Sequence, residues 1–236
     1  MISTRIVGAG RAGGSLERAL RRAHWPLAPS LGRGDDLRGA AEGVDLLVIA
    51  TPDAAVAEVA AAVEPHDDTV VCHLAGSLGL APLAGHPRRA VLHPLVALPD
   101  PERGADRLVG AWFGLAEDGD PLVEAVVDEL HGRIVRVAED DWIRYHAAAV
   151  IAANHLVALM GQVERVAGGI GAPLAAYLDL ARGALDDVTA LGPADALTGP
   201  VRRGDTETVA RHLAALPEEE RAAYRTMSEE AARLCP

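Results

Sequence analysis

The sequence predicts an α/β domain with a doubly wound, mostly parallel β-sheet, followed by an all-helical C-terminal domain. Two observations support this fold class. Over residues 1–137, short apolar runs alternate with helical patterns, which is typical of βαβ units over a parallel sheet. From Glu139 onward the chain changes to long Ala- and Leu-rich helical periodicities. We therefore expect two domains, at residues 1–137 and 138–236.

The predicted strands are short and apolar, and helical patterns lie between them. The strands are expected at residues 4–7, 27–31, 45–50, 69–74, 90–93, 111–116 and 133–137. Helices are expected from the first turn through Arg22 and over residues 53–63 and 122–130. In the second domain, breaks at residues 168–173, 191–193 and 200–204 separate the helices, and residues 218–234 form the last one.

The composition narrows the chemistry that the chain could perform. Half of the 236 residues are apolar and the formal net charge is -12, so the surface would repel nucleic acid and anionic membranes. All 22 basic residues are arginines, which excludes Schiff-base formation and acid–base catalysis by lysine. The two cysteines have no metal-ligand spacing, and we expect no metal site.

The cysteines and the N-terminus indicate a cytoplasmic protein. Cys72 lies in a predicted buried strand, which suits a reducing compartment. The N-terminal stretch MISTRIVGAG runs straight into a strand and lacks a secretory signal pattern. No apolar run reaches the ~18 residues needed to span a bilayer without interruption. We therefore expect no membrane partner.

A glycine motif follows the first predicted strand and opens a helix. Gly8, Gly10 and Gly13 form a G-x-G-x-x-G pattern, and Arg11 and Ala12 lie inside it. In this context the pattern is typical of dinucleotide binding, because the turn must be tight and the backbone must approach a pyrophosphate closely. The helix N-terminus offers backbone amides to that anion. A purely structural glycine turn is the alternative.

The end of the second predicted strand bears on the choice between NADP and NAD. An acidic residue there would bind the ribose 2′-hydroxyl, whereas an arginine favours a 2′-phosphate. Ser30 and Arg33 lie at this position, while Asp35 and Asp36 come later and could cap the next helix. We therefore expect NADP rather than NAD, with a solvated loop arginine as the alternative for Arg33.

Further candidates follow the other parallel strands, at the edge where ligands bind in doubly wound folds. In chain order they are Thr51, Pro52, His73, Gly76, Ser77 and His93. Asp53 is expected to be a helix N-cap rather than a ligand contact. A structural histidine with satisfied hydrogen bonds is the alternative for each of the two histidines.

Several motifs together resemble a known group of proteins. They are GAGRAGGSL (8–16), HLAGS (73–77), LHPL (92–95), RYHAAAVIAANHLVAL (144–159) and GPADALTGPVRRGD (192–205). The chain resembles the bacterial two-domain family with a Rossmann-like N-terminal domain and a C-terminal helical domain of unknown function (domain of unknown function 2520). That family is related to the ketopantoate reductases, the pyrroline-5-carboxylate reductases and the 6-phosphogluconate dehydrogenases.

The resemblance implies an NADP-binding fold and a helical domain that dimerises and closes over the nicotinamide end. It does not supply a substrate. The chain also departs from the family pattern, because Ala75 stands where the turn after the fourth strand usually has a serine. Val96-Ala97-Leu98 follow His93-Pro94, where the family usually carries a glutamine and an aromatic residue. We therefore expect substrate choice to differ from the family norm.

The apolar helix expected at residues 144–159 carries the remaining catalytic candidates. In the related dehydrogenases a helix here presents a lysine and, one turn later, an asparagine; the resemblance aligns these with Val150 and Asn154. At ~100° per residue, His146 shares a stripe with both positions. We expect His146, with His93, to donate a proton, and Asn154 to orient the acceptor.

The other polar residues of this helix have weaker assignments. His155 lies on the opposite face in a regular α-helix, which favours a packing or dimer contact. Tyr145 points about 100° away from His146 and is a weaker alternative acid. Further along the chain, Arg202 or Arg203 could bind a substrate carboxylate, with a solvated arginine pair as the alternative, and Asp205 is expected to cap a helix.

The expected function is an NADP-dependent reductase that transfers hydride between the nicotinamide and a small ketone, such as a keto acid, or an imine. Ketopantoate reduction is an alternative within the enzymes, although the lysine of those enzymes is absent. A dinucleotide-binding protein without redox turnover, such as a sensor, is the alternative from another class. The expected partners are a small-molecule substrate and a second copy of the chain bound through the helical domain.

Overall fold

The protein is described by a computed structural model, which covers residues 2–235. The chain divides into two compact units, Met1–Ala153 and Asn154–Pro236. The first unit contains a six-stranded sheet with helices packed on both faces, and the second unit is helical. The predicted fold class, a mostly parallel sheet followed by a helical region, is confirmed.

The sheet has its strands in chain order. They are β1 (Thr4–Val7), β2 (Leu46–Ile49), β3 (Val70–His73), β4 (Arg89–Pro94), β5 (Trp112–Ala116) and β6 (Arg133–Val137). Strands β1 to β4 are parallel, β5 runs antiparallel to β4, and β6 runs parallel to β5. The carboxyl ends of β1 to β4 therefore lie at one edge of the sheet, which we call the carboxyl edge.

The α-helices of the first unit are α1 (Arg11–Arg22), α2 (Val56–Ala62), α3 (Pro101–Leu108), α4 (Glu124–Glu129) and α5 (Trp142–Val150). Those of the second unit are α6 (Leu156–Gly168), α7 (Leu174–Leu191), α8 (Pro193–Ala196), α9 (Gly199–Arg202), α10 (Thr206–Ala215) and α11 (Glu218–Ala232). Single 3₁₀ turns precede α2, α4 and α5, at Asp53–Ala55, Pro121–Val123 and Glu139–Asp141. Another is formed by Ala81–Leu83.

Two parts of the first unit differ from the prediction. Residues 27–31 are not a full strand, because only isolated bridges at Leu27 and Leu31 tie them to β1. Pro29 lies between these bridges and has no amide to donate to a ladder. Helix α3 was not expected from the periodicity. Its signal is the Asp100–Pro101 pair, since the Asp100 carboxylate accepts two first-turn amides.

The buried strands supply apolar side chains to both faces of the sheet in turn. On β2, Leu46 and Val48 pack in the core under α1 and α3, whereas Leu47 and Ile49 pack in the core under α2. All four side chains are fully buried. This alternation explains why the strand reads as a continuous apolar run rather than as a polar–apolar repeat. Cys72 lies in the first of these cores and is buried and unpaired by disulfide, as the sequence predicted.

Helix α5 belongs to the first compact unit, which ends at Ala153, whereas the predicted domain boundary at residue 137 stays a prediction. Trp142 is only 2% exposed and packs with Val91, Ala116 and Val137. The Glu139 carboxylate adds a polar tie, since it accepts the Leu80 amide at 2.9 Å. The start of the long apolar helix is therefore held against the sheet.

Residues 144–159 do not form the regular α-helix expected from the sequence. Residues Ile151–His155 form a π-helical turn between α5 and α6. A π turn bonds residue i to i+5 rather than i+4, so each residue advances by less than the α-helical angle. The predicted stripe of His146, Val150 and Asn154, and the opposite face assigned to His155, therefore lose the regular geometry on which they were based.

The second unit exposes many apolar side chains on its own surface. Within it, Arg165 forms an ion pair with Glu220 and Gln162 donates to the Glu220 carbonyl at 3.0 Å, which joins α6 to α11. Large apolar side chains on α6 and α7 nevertheless stay open, for example Val157 and Leu180. The helical stretch Glu139–Gly168 is long and apolar enough to cross a membrane by length and composition alone. Apolar helices that pack against other helices have the same character.

We predict that Trp142→Ala destabilises the protein by about 3–5 kcal/mol, because it leaves a cavity beneath α5. Trp112 provides the control, since its side chain is 41% exposed and stacks only against the Arg133 guanidinium. The free energy of unfolding, measured with urea, should fall far more for the first substitution. Equal losses would show that α5 is not anchored through Trp142.

Candidate dinucleotide and catalytic site

The turn between β1 and α1 is packed so closely that two of its three motif glycines are required by the fold. Gly8 has φ of +106°, and a Cβ there would lie 2.7 Å from the Ala50 carbonyl oxygen. A Cβ at Gly13 would lie 1.9 Å from the Gly8 carbonyl oxygen. Real Cβ atoms do not approach so closely. A side chain at Gly8 would push the turn away from the segment after β2, and one at Gly13 would force α1 away from the turn.

Gly10 differs, because a Cβ there would meet no atom within 4 Å. It is the N-cap of α1, whose first turn has neither a capping side chain nor an acidic residue. The first amides of a helix have no partners within the helix and attract anions. Nearby at the end of β2, the Thr51 hydroxyl oxygen is buried without a hydrogen-bond partner among the described residues. An open glycine, free amides and an unpartnered hydroxyl fit the phosphates of a dinucleotide.

Basic side chains near this turn are free to bind an anion. Arg11 and Arg33 are exposed and form neither hydrogen bonds nor ion pairs within residues 2–235. Ser30, predicted to contact a 2′-phosphate, instead donates its hydroxyl to the Glu17 carboxylate at 3.0 Å. A phosphate at Ser30 would therefore meet a carboxylate, which leaves Arg33 as the better candidate of the two.

The turn after β3 is held in place by His73. The His73 side chain is fully buried, and its Nδ1 accepts the Ala75 amide at 3.2 Å while Nε2 lies 2.9 Å from the Gly79 carbonyl oxygen. Nε2 must carry the proton, since only a donor can pair with a carbonyl. Burial lowers the pKa of His73, which keeps the ring neutral. His73 thus shapes the turn, and any cofactor contact at this position would come from the backbone.

Asp53 and Ser77 connect the turns after β2 and β3. The Ser77 hydroxyl donates to the Asp53 carboxylate, which joins the segment after Pro52 to the β3 turn. Asp53 does not cap a helix, contrary to the prediction: Pro52 holds the N-cap position and no side chain caps the turn. Both side chains stay at the carboxyl edge.

His93, near the end of β4, is the centre of a cluster of polar rings. Its Nδ1 lies 2.8 Å from the Tyr145 hydroxyl oxygen. The rings of His93 and His146 meet edge to face with centroids 6.0 Å apart. The structure therefore brings together the rings of His93 and His146, whose roles as proton donors stay predictions. It also adds Tyr145, which the sequence ranked as the weaker acid but which makes the direct contact.

Two glycines create the space for these rings. A Cβ at Gly76 would lie 2.5 Å from His93 Nε2, and a Cβ at Gly114 would lie 2.5 Å from the Tyr145 hydroxyl oxygen. Gly114 pairs with His93 across β4 and β5. Sequence reasoning missed Gly114, although a glycine inside a strand is a recognised sign of a close approach.

The protonation of the cluster follows from its burial. Burial lowers the pKa of His93 to about 4, and the neighbouring His146 adds to the effect. Burial also raises the pKa of Tyr145 to about 12, although a backbone hydrogen bond from Gly114 partly opposes this. At neutral pH the pair therefore consists of a neutral imidazole and a neutral phenol.

The remaining candidates belong to the second unit. Asn154 and His155 are both exposed and lie in the π turn, so their predicted roles stay predictions. Arg202 and Arg203 are exposed at the end of α9. Asp205 caps α10 by accepting the Thr208 amide at 2.9 Å, as predicted. Within residues 2–235, no group of three or more His, Cys, Asp or Glu is placed to hold a metal ion.

The family model described as Domain of unknown function (DUF2520) matches residues 113–231, which is half of the chain. The chain belongs to this family. The matched region runs from β5 to α11 and includes Tyr145, His146 and Asn154. A comparison with curated proteins gives no match.

Solved structures share the fold of this DUF2520 chain at low identity. A protein from Bacteroides fragilis, provisionally named an NADP oxidoreductase, is 19% identical with a TM-score of 0.81 over 98% of both chains. A reductive aminase from Aspergillus terreus, in complex with NADPH and ethyl levulinate, is 16% identical with a TM-score of 0.70 over 99% of this chain and 94% of its own. The pyrroline carboxylate reductase of Plasmodium falciparum with NADP bound is 13% identical, with a TM-score of 0.65 over 100% and 98%. The fold is therefore that of NADP-dependent oxidoreductases, Rossmann-like with a helical C-terminal region.

We predict that Gly76→Ala displaces the His93 ring and destabilises the protein by about 1–3 kcal/mol through overpacking. Gly85→Ala is the matched control, because a Cβ at Gly85 would meet no atom within 4 Å. Urea unfolding should separate the two variants, and the imidazole NMR signals of His93 should shift only in the first. Wild-type stability and an unshifted His93 in Gly76→Ala would contradict the packing argument.

Proposed function

We propose that the protein is an NADP-dependent reductase that transfers hydride to a small ketone or imine. The observation that carries this proposal is the uncapped N-terminus of α1 at the open Gly10, at the same sheet edge as His93. A dinucleotide bound there would lie along the carboxyl edge, where the ends of β1 to β4 converge. When bound, the reduced nicotinamide would supply the hydride.

Residues of the chain would bind the cofactor, provide the proton and orient the acceptor. The amides of the first turn of α1 would bind the pyrophosphate, and the Thr51 hydroxyl would form a hydrogen bond with the cofactor. His93 and His146 would hold the acceptor atom and provide its proton. Asn154 is proposed to orient the acceptor, on the strength of its place in the motif shared with related dehydrogenases.

NADP is proposed rather than NAD because the candidate 2′-phosphate position offers cations. Arg33 and Arg11 are both exposed and unpaired within residues 2–235. Guanidinium groups pair with phosphate through two parallel hydrogen bonds. The NADP bound to the Plasmodium falciparum relative is consistent with this choice.

Dinucleotide binding without turnover is the second candidate. It is favoured by the full use of His73 and Ser77 in holding the turns together, which leaves fewer side chains for a substrate. The lack of lysine in the chain points the same way. Oxidation of NADPH by any carbonyl compound or imine would exclude it.

We also propose a homodimer formed through the second unit. Apolar side chains are exposed on its helices and in the turn after α6, including Val157 at 72%, Ile170 at 79% and Leu180 at 71%. An exposed apolar surface of this kind is costly for a monomer and typical of a subunit interface.

We predict that NADPH binds more tightly than NADH and that Arg33→Ala removes most of this preference. One charged contact to the 2′-phosphate is worth about 1.5–3 kcal/mol, so NADPH affinity should fall about tenfold or more while NADH affinity stays unchanged. Fluorescence titration measures both. Arg38→Ala is the control, because that side chain is already paired with Asp36. If neither nucleotide binds, the cofactor assignment is wrong.

We predict that Leu180→Asp lowers the mass in solution from dimer to monomer, because it buries a charge in the proposed interface. Val109→Asp is the control, since Val109 is 55% exposed in the first unit. Sedimentation velocity gives the mass of each variant. A monomeric wild-type protein at micromolar concentration would rule out the dimer.

A further inference from the structure

We propose that Tyr145 acts through His93, fixing it as an Nε2–H donor and replacing its proton, so that the site is built for a neutral carbonyl rather than a protonated imine. This inference rests on the proposed function and deepens it, because it narrows the acceptor from a ketone or imine to a ketone or aldehyde. Tyr145 is a positioning residue in this arrangement, and His93 is the group that touches the acceptor.

The direction of the Tyr145–His93 hydrogen bond follows from the surroundings of the phenol oxygen. Within residues 2–235 the phenol O–H has no hydrogen-bond acceptor other than His93 Nδ1, which lies 2.8 Å away. An O–H group without an acceptor is costly to bury, so we assign the phenol as the donor to Nδ1. Nδ1 must therefore be the unprotonated nitrogen of the ring.

This assignment fixes the other nitrogen as a donor. A neutral imidazole has one N–H, so with Nδ1 accepting, the proton of His93 is on Nε2. Nε2 has no hydrogen-bond partner within residues 2–235, and it is not among the buried polar atoms that lack one, so it retains contact with solvent. Nε2 lies against Gly76, because the absence of a Cβ there leaves room for the His93 ring.

An Nε2–H group selects the chemical state of the acceptor. A ketone or aldehyde oxygen has lone pairs and can accept this hydrogen bond. A protonated imine carries an N–H or a full positive charge, so it would face the donor with another donor. The geometry therefore favours the carbonyl as the ground-state ligand.

The chemical step balances with these two residues. A bound reduced nicotinamide would supply hydride to the carbonyl carbon, and the C=O π pair would move to oxygen. The oxygen takes the Nε2 proton of His93 while Nδ1 takes the phenol proton of Tyr145, so the imidazole never becomes an anion. The site is restored when Nδ1 returns its proton to the phenolate and water reprotonates Nε2.

The same relay does not suit imine reduction. Hydride adds readily only to a protonated imine, so the site would have to supply that proton before hydride transfer or hold the iminium cation. Burial keeps the pKa of Tyr145 near 12 and that of His93 near 4, so neither group holds a proton ready for an imine nitrogen. A developing alkoxide is a far stronger base than a phenolate and can take the proton.

Several charged or titratable groups surround His93. His146 and His73 disfavour a positive charge on it, whereas the Asp53 carboxylate favours one. Glu139 lies against Gly79 on the adjoining turn. Because burial and the two histidines outweigh Asp53, we expect ketone reduction to show no loss of rate between pH 8 and pH 5 from titration of His93.

The tautomer of His93 can be tested in the ligand-free full-length protein by long-range ¹H–¹⁵N NMR. We expect the wild type to carry its proton on Nε2, and Tyr145→Phe to give a mixture of tautomers at His93. Tyr224→Phe is a matched control, because Tyr224 makes the same kind of contact with His212, at 2.7 Å and with rings 5.8 Å apart. A wild-type His93 protonated on Nδ1, or a tautomer unchanged by Tyr145→Phe, would overturn the relay.

The acceptor class is tested by steady-state turnover of NADPH with ketones, aldehydes, cyclic imines and an N-methyl iminium ion. We expect carbonyl compounds to be preferred, and Tyr145→Phe to lower kcat for a ketone by about a hundredfold. NADPH affinity should stay within about twofold of wild type. The turnover of the N-methyl iminium ion should be the same in Tyr145→Phe as in wild type, because that ion needs no proton.

The outcomes separate this inference from the proposed function. Faster turnover of imines than of every carbonyl compound, or an unchanged ketone kcat in Tyr145→Phe, overturns the inference and leaves a reductase. No NADPH oxidation with any acceptor overturns the proposed function and the acceptor class with it. The NMR result still decides the direction of the Tyr145–His93 bond in that case.

Discussion

The site depends on close approaches that only glycine permits. Gly13 lets α1 reach the Gly8 carbonyl, Gly76 leaves room for the far end of the His93 ring, and Gly114 makes room for the Tyr145 hydroxyl. At each of these glycines, a backbone or ring atom lies closer than van der Waals distance to the point where a Cβ would be. Atoms are therefore packed tightly at three places along the carboxyl edge. Gly10 is the motif glycine with open space beside it.

This crowding also determines the electrostatics. The rings of His93 and Tyr145 pack onto the sheet, where burial disfavours a charge on either of them. Two neutral groups joined by a hydrogen bond are cheap to bury, whereas a lysine ammonium at the same depth would need a partner. A chain without lysine can thus keep a proton source at the sheet surface, provided that the acceptor generates its charge only as it reacts.

Much of the fold and part of the site were predictable from the sequence, and the differences have physical causes. The glycine turn after β1, the buried β2 and the parallel order of the first strands depend on local patterns, so the sequence predicts them. Residues 27–31 have strand-like composition, but Pro29 removes a ladder donor. Ser30 and Asp53 were assigned from position alone, yet Glu17 and Ser77 occupy their polar groups. Sequence position cannot show which polar neighbour arrives from another element.

Tyr145 illustrates the same limit most clearly. Helical periodicity separates it by ~100° from His146, and on a helix seen alone this suggests that only one of the two can face a site. Both residues can nevertheless reach the same ring, because α5 lies against the β4–β5 pair and Tyr145 and His146 are adjacent on it. Tyr145 reaches over Gly114 to one edge of the His93 ring, while His146 meets the same ring edge to face. His93 can therefore connect both Tyr145 and His146 to one acceptor, although the two residues do not share one stripe of the helix.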